Sequence, residues 1–201
     1  MSKLPRMVDF GIFVSSSTAE TIALGEKCGE LLAAGDVLVL TGDLGAGKTQ
    51  FTKGIARGMG ITADVTSPTF TIEMVYEGGV MPLYHFDLYR LNDSSQLDDI
   101  GLFDAMESDG PTVIEWGEQF ADDIGDERVD IFISRLEGAG DTGSDCQRQL
   151  SKGGDDATAG LSADDAGDIS SGSAEPLREI RFVAHNKRGQ ELIERLVLFL
   201  H

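Results

Sequence analysis

The sequence is poor in basic residues. It has 16 lysines and arginines against 35 aspartates and glutamates, which gives a formal net charge of -19 at pH 7. A protein that binds nucleic acid unaided normally carries a basic surface, because it must displace counterions from the phosphates. The deficit argues against direct binding of RNA or DNA, and we expect any nucleic acid to be held by another protein.

The sequence also lacks cysteine pairs and long apolar runs. Its two cysteines, Cys28 and Cys146, are far apart, which fits neither a disulfide framework nor the spacing of metal ligands. The apolar stretch at 10–14 is too short for a signal-peptide core or a membrane span. We therefore expect a soluble protein of the reducing cytoplasm, with Cys28 as a small core residue.

Large apolar side chains are scarce in one segment, residues 138–175. It contains eight acidic and two basic residues and eight glycines, with Leu150, Leu161 and Ile169 as its large apolar residues. Such a composition cannot bury enough apolar surface to offset the entropy of ordering the chain. We predict a disordered acidic insertion inside one domain that spans 1–201, because 201 residues suit a single core.

The strongest motif is "GDLGAGKT", residues 42–49, which matches G-x-x-x-x-G-K-[ST]. Glycines at such spacing let backbone N–H groups turn inward on phosphates at the start of a helix. Lys48 is expected to reach the β- and γ-phosphates, and the Thr49 hydroxyl to ligate Mg²⁺. The predicted nucleotide contacts are Gly42, Asp43, Leu44, Gly45, Ala46, Gly47, Lys48, Thr49 and Gln50.

The pattern of strands and helices fits this motif. An apolar strand at 37–40 precedes the loop, and a helix with Phe51, Ile55 and Met59 at spacing four follows it, as the motif requires. The fold class predicted is α/β, a three-layer domain of the P-loop NTPase type whose mixed sheet has a parallel core and antiparallel hairpins. The other predicted elements are a strand at 9–16, a helix at 17–32, a hairpin at 69–91, a helix at 96–106, a strand at 111–116, a hairpin split by the insertion, and a helix from 190.

Two acidic residues close apolar strands and are candidates for the metal side of the site. Asp87 ends "LYHFD" and Glu115 ends "TVIE", and either carboxylate could hold Mg²⁺ or orient the attacking water. Phosphoryl transfer on such a loop needs no imidazole, so His85 and His185 are expected to be structural. The "HNKRG" stretch at 185–189 lacks the aspartate of a guanine-recognition motif, which favours ATP over GTP.

Four stretches in this order resemble one family. "GDLGAGKTQF" at 42–51, "TSPTF" at 66–70, "YHFDLYRL" at 84–91 and "IEW" at 114–116 are similar to the bacterial TsaE (YjeE) family, the P-loop ATPase of tRNA threonylcarbamoyladenosine biosynthesis. The resemblance covers about 1–137 and, less distinctively, the last strand and helix. Two features depart from the family pattern: the insertion at 138–175, and Gly117 where a proline commonly follows the tryptophan.

The resemblance implies an activity and partners. The expected protein is a Mg²⁺-dependent ATPase, slow when alone, that binds and resets the complex modifying adenosine 37 of tRNA. Its implied partners are a threonylcarbamoyl-transferring subunit and that subunit's paralogue-like partner (TsaD and TsaB type), with tRNA reached only through them and no membrane involved.

The resemblance also implies roles for single residues. Ser67 and Thr69 would sense the γ-phosphate or the water, and Pro68 would restrict the backbone between them. Asp87 and Glu115 would share the magnesium with Thr49, and Trp116 would lie beside that site. The resemblance thus implies catalytic roles for Lys48, Thr69, Asp87 and Glu115.

Two other functions remain open on the sequence. One is a P-loop kinase that passes the γ-phosphate to a small molecule, which would need an acceptor pocket and usually a lid with arginines. The insertion contains one arginine, Arg148. The other is a nucleotide-gated binding module whose ATP-bound form binds a partner and whose hydrolysis only releases it.

Overall fold

The computed structural model describes residues 3–136 and 175–199, and it forms one eight-stranded sheet in the order β1-β2-β8-β7-β3-β6-β5-β4. The strands are β1 (Arg6–Asp9), β2 (Ile12–Ser15), β3 (Val37–Thr41), β4 (Glu73–Tyr76), β5 (Leu83–Asp87), β6 (Thr112–Glu115), β7 (Val129–Arg135) and β8 (Arg178–Ala184). The four central strands β5, β6, β3 and β7 are parallel, and both edges are antiparallel. The predicted mixed sheet is confirmed.

Helices cover both faces of this sheet, which makes three layers. The helices are α1 (Thr18–Gly29), α2 (Lys48–Gly58), α3 (Ser95–Asp99), α4 (Leu102–Met106), α5 (Ala121–Ile124) and α6 (Lys187–Phe199). Successive strand residues face opposite layers: Leu38 and Leu40 pack into the core beneath α1, α2 and α6, whereas Val37 and Val39 pack into the core beneath the shorter helices.

Three predicted elements differ from the observed ones. The strand expected at 9–16 is shorter, β2 at Ile12–Ser15, and it pairs with β1 (Arg6–Asp9), which was not predicted. The chain turns between them at Phe10 and Gly11, where Gly11 has φ +70°. The helix expected at 96–106 is two short helices separated by Gly101, whose left-handed backbone ends the first. The C-terminal helix begins at Lys187, where the preceding Asn186 side chain accepts from Gly189 N, rather than at Gln190.

Helices α1 and α2 touch backbone to backbone through glycines. A Cβ on Gly54 would lie 2.1 Å from the carbonyl oxygen of Ile22, and a Cβ on Gly25 would lie 2.3 Å from that of Phe51. Gly29 and Gly58, each four residues further along its helix, are equally close to the facing backbone. The helix that follows the phosphate loop is therefore held directly against α1.

The predicted split hairpin is confirmed, since β7 and β8 pair in register along their whole length. Residues 137–174, which include all of the predicted insertion except Glu175, lie outside the described residues. Cys28 is fully buried as predicted, and burial raises the pKa of its thiol to about 12. Among the described residues, no helix is both long and apolar enough to cross a membrane.

Candidate functional site

The phosphate loop connects the carboxyl end of β3 to the first turn of α2. Its glycines are needed for close approach and for unusual backbone angles: Gly47 has φ +122°, and a Cβ on Gly42 would lie 2.1 Å from the carbonyl oxygen of Ile133 on β7. The loop lies at the carboxyl end of a central parallel strand, and ligands of α/β proteins bind at this end of the sheet.

Lys48 folds back over the loop and is almost fully buried. Its Nζ donates to the carbonyl oxygens of Gly42 and Asp43 at 2.5 and 3.1 Å, and lies 3.7 Å from the ring centroid of Trp116. Burial lowers the pKa of Lys48, while the nearby carboxylates, chiefly that of Glu115, oppose this shift. The ammonium is thus held at the loop by carbonyls, an aromatic face and acidic neighbours.

The Thr49 hydroxyl meets the carboxylate that ends β6. Thr49 Oγ1 donates to Glu115, with its oxygen 2.9 Å from Oε1 and 3.2 Å from Oε2. The same Oε1 atom lies 2.9 Å from His85 Nε2, and the imidazole is fully buried. The side-chain position of Glu115 is therefore fixed by two partners.

Asp87 ends β5 directly beside Glu115, since the two residues are register partners in the parallel ladder. Its Oδ2 accepts from Ser67 Oγ at 2.7 Å and from Thr69 Oγ1 at 2.6 Å, and its Oδ1 accepts from Tyr89 N at 3.1 Å. Asp87 thus anchors the "TSPTF" segment, whereas Glu115 contacts the first turn of α2.

Two residues near these carboxylates have left-handed backbone, Trp116 (φ +60°) and Ile72 (φ +68°). Trp116 directly follows Glu115, and the carbonyl of Ile72 accepts from the backbone N–H of Asp87 at 2.9 Å. Such conformations are costly for residues with a Cβ and cluster where function imposes geometry. The strain lies next to the two strand-end acids.

A cavity of about 290 Å³ joins these groups. Most of the residues predicted to bind nucleotide or metal line it together: Leu44, Gly45, Gly47, Lys48, Thr49, Gln50, Thr69, Asp87 and Glu115. Ser67 and Trp116 also line it, whereas Gly42, Asp43 and Ala46 are loop residues outside that lining. A larger cavity of about 480 Å³ lies along α2 by Lys53 and Arg57, and it shares no residue with the first.

The side-chain groups that could bind a metal ion in this cavity are oxygens. Within 3–136 and 175–199, no three His, Cys, Asp or Glu side chains are grouped so as to hold a metal ion. Two carboxylates and one hydroxyl fit Mg²⁺, which binds oxygen, keeps several waters and takes its other ligands from phosphates. The residues therefore suit a magnesium ion that comes with a phosphate ligand.

His85 contacts one of the two strand-end acids of the candidate site. It was expected to be structural, and it is buried, but its partner is Glu115. Among the described residues, His85 Nδ1 is the single buried side-chain nitrogen or oxygen without a hydrogen-bond partner. His85 is two residues before Asp87 on one strand, so the period of two would have placed both side chains on the same face. His185 instead contacts Asp130, at the end of β7 that is far from the phosphate loop.

Comparison with known proteins agrees with these motifs. Residues 15–142 match the family model described as "Threonylcarbamoyl adenosine biosynthesis protein TsaE". The tRNA threonylcarbamoyladenosine biosynthesis protein TsaE of Bacillus subtilis is 48% identical over 116 residues, which are 58% of this chain and 72% of that protein. The protein of the same name from Treponema pallidum is 46% identical over 123 residues, 61% of this chain and 90% of that protein.

A solved structure has a similar fold. The crystal structure of Bacillus subtilis YdiB superposes with a TM-score of 0.66 and 32% identity, covering 98% of this chain and 99% of that one. The likeness therefore extends over the fold as well as the motifs. The chain belongs to the TsaE family of threonylcarbamoyl adenosine biosynthesis proteins.

Proposed function

We propose that the chain is a Mg²⁺-dependent ATPase that supports formation of N6-threonylcarbamoyladenosine at position 37 of tRNA. It would do so by binding and resetting the threonylcarbamoyl-transferase complex. The observation that carries the proposal is the contact of Thr49 with Glu115 beneath the loop, beside the contact of Asp87 with Thr69. A hydroxyl and two carboxylates thereby lie together beside the loop that, in this proposal, would hold the phosphates.

Each group has a role in this proposal. Lys48 would neutralise charge on the β- and γ-phosphates, and Thr49 and Glu115 would hold Mg²⁺, which when bound stabilises the charge that develops on those phosphates. Asp87 would keep Thr69 in reach of the γ-phosphate and share the metal site. Between the two acids, we assign orientation of the attacking water to Glu115, because its carboxylate is fixed by both Thr49 and His85.

The partner would be the threonylcarbamoyl-transferring subunit with its paralogue-like partner (TsaD and TsaB type). The relatives from Bacillus subtilis and Treponema pallidum are named for tRNA threonylcarbamoyladenosine biosynthesis, and the net charge of -19 suits a protein that reaches tRNA through others. We further propose that residues 1–201 form one domain, since β2 and β8 pair although they are distant in sequence. We also propose that the protein acts in the cytoplasm.

The kinase and the nucleotide-gated switch are the alternatives to test against. A kinase needs an acceptor pocket next to the γ-phosphate, whereas the cavity at the loop is lined by the loop, the "TSPTF" segment and the two acids. A switch would bind ATP and release a partner with little turnover. The three functions therefore differ in where the γ-phosphate goes and how fast.

The deciding experiment measures ATP loss and phosphate release by the purified chain, alone and with the transferase pair, while tRNA modification is followed in the same mixture. We expect slow release alone, faster release with the pair, and repeated rounds of modification only when the chain is present. A phosphorylated acceptor that accumulates at the rate of ATP loss would show a kinase. ATP-dependent binding to the pair without phosphate release would show a switch.

A further inference from the structure

Two arginines of the split hairpin lie at the phosphate loop, on the flank away from Glu115. Arg135 ends β7 and Arg178 begins β8, and they are direct partners in the antiparallel ladder. Strand β7 borders β3 on one side, and β6, which carries Glu115, borders it on the other. Like charges placed directly opposite each other destabilise a strand pair, so an arginine pair at this position gains from a bound anion.

Both side chains reach the loop itself. Arg135 Nη2 donates to the carbonyl oxygen of Gly45 at 2.7 Å. Arg178 lies against Gly47, since a Cβ at that glycine would be 3.6 Å from both Cδ and Nε of the arginine. The two guanidinium groups therefore flank the stretch of loop that ends at Lys48.

Arg178 is buried, and its contacts with the described residues are few. The residue is 8% exposed, and the hydrogen bond it makes within the described ranges is from Nη1 to Glu175 Oε2 at 3.4 Å. That carboxylate oxygen also accepts from the backbone N and the Oγ1 of Thr18, at the start of α1. A guanidinium has five N–H donors, so within 3–136 and 175–199 most of the donors of Arg178 have no partner and can serve a ligand.

The charges on the other flank make such cations useful. Glu115, Glu118 and Asp87 all act on Lys48, so a nucleotide that enters this site meets several carboxylates. Mg²⁺ held by Thr49 and Glu115, as proposed above, would offset negative charge on the β- and γ-phosphates. The α-phosphate would gain less from that metal, and cations on the β7 and β8 flank could balance its charge.

We propose that Arg135 and Arg178 bind the nucleotide at its α-phosphate end, with Arg178 in direct contact and Arg135 as a positioning residue that fixes the loop through Gly45. The inference rests on the proposed nucleotide binding and adds two residues that lie outside the four family stretches. Because ADP and ATP share the α-phosphate, the two arginines affect the affinity for both nucleotides by the same factor. The hydrolysis step, on the Glu115 flank, is unaffected.

The test uses the full chain and its own fluorophore. Trp116 is the single tryptophan of the sequence and lines the cavity, so its fluorescence can follow titrations with Mg-ADP and Mg-ATP. We expect Arg178→Gln to raise the Kd for both nucleotides about tenfold, in line with loss of a charged hydrogen bond, with kcat at saturating ATP within twofold. Arg135→Gln should raise both Kd values by a smaller, common factor.

The matched control is Arg181→Gln. Arg181 is on β8 as well but faces the opposite side of the sheet, with its guanidinium 5.0 Å from the ring of Phe132, so this variant should leave both Kd values unchanged. If Arg178→Gln does not fold, Arg178→Lys keeps the charge but loses the planar donor set, and it should still weaken ADP several-fold.

Three outcomes overturn the inference. The first is unchanged ADP affinity in Arg178→Gln, which would show that Arg178 does not contact the α-phosphate. If that variant is unfolded, unchanged ADP affinity in both Arg178→Lys and Arg135→Gln would show the same. A loss of kcat with ADP affinity retained would place the arginine at the γ-phosphate instead. If the wild-type chain binds neither nucleotide, the proposed function itself is wrong. Failure of the proposed function can thus be distinguished from failure of the inference about the two arginines.

Discussion

Asp87 and Glu115 are register partners at the ends of adjacent parallel strands, yet their carboxylates bind different parts of the molecule. Glu115 contacts Thr49 of α2 and His85, whereas Asp87 contacts Ser67 and Thr69. One acid is therefore tied to the nucleotide loop and the other to the segment that would respond to the γ-phosphate. The predictions below test this division.

Glu115→Gln should lower turnover far more than nucleotide affinity. The amide keeps the size of the side chain and its contact with Thr49 but loses the negative charge that, in our proposal, orients water and holds Mg²⁺. We expect phosphate release to fall about 100-fold, with the Kd for ATP within a few-fold of wild type. A variant that releases phosphate at the wild-type rate would contradict the assignment of water orientation to Glu115.

Lys48→Ala should weaken phosphate binding. If Lys48 binds the β- and γ-phosphates as we propose, loss of these charge-assisted hydrogen bonds raises the Kd for ATP on the order of 10- to 100-fold, measured by Trp116 fluorescence or calorimetry. Lys53→Ala is the control, since Lys53 lies on the same helix but lines the cavity along α2. Equal effects of the two substitutions would show that the affinity for ATP falls because the protein loses positive charge, and not because a specific contact of Lys48 is lost.

The hydroxyl of Thr69 should matter more than its methyl group. Thr69→Ser keeps the hydrogen bond to Asp87 Oδ2 that is 2.6 Å long, whereas Thr69→Val keeps the shape and removes the donor. We expect phosphate release near wild type in the serine variant and at least about tenfold lower in the valine variant. Comparable rates in the two variants would show that the side chain only fills space.

Gly54→Ala should destabilise the fold. The added methyl group would overlap the backbone carbonyl of Ile22, 2.1 Å away, and backbone cannot swing aside as a side chain can. We expect a loss of about 3 kcal/mol in urea unfolding. Arg57→Ala, an exposed change on the same helix, should stay within about 0.5 kcal/mol of wild type, and similar losses in both would refute the close contact.

Cys28 should make stability fall in alkali. Its thiol has an ordinary pKa of 9.0 and a folded pKa raised to about 12 by burial, so between these values the folded state holds a proton that the unfolded state has lost. Stability is therefore lost as pH rises above about 9, by up to about 1.4 kcal/mol per pH unit. In a Cys146→Ser background, Cys28→Ala should remove that part of the slope measured between pH 9 and 11, and an unchanged slope would contradict the burial argument.

Much of the fold could be predicted because its signals are local. The apolar run before Gly42, the spacing of Phe51 and Ile55, and the turn at Gly78 each determine one element, and these predictions agree with the structure. The hairpin at β1 and β2 was missed because Phe10 and Gly11 interrupt what looks like one apolar strand, and a turn there depends on the left-handed angle of Gly11.

The site was less accessible to sequence reasoning, because its contacts join distant segments. The positions of Asp87 and Glu115 at strand ends could be predicted from the sequence, but the partnership of His85 with Glu115 needs the register of β5 against β6. Arg135 and Arg178 are separated in sequence by the long insertion, so their meeting at the loop depends on the pairing of β7 with β8.

The glycines between α1 and α2 also limit how this protein can change over time. Gly25, Gly29, Gly54 and Gly58 each face backbone on the opposite helix at a distance that admits no Cβ. A larger residue at one of these positions cannot be compensated by a smaller side chain on the facing helix, because the contact is with backbone atoms. These four positions are therefore expected to be nearly invariant among viable variants, while the helix surfaces around them drift freely.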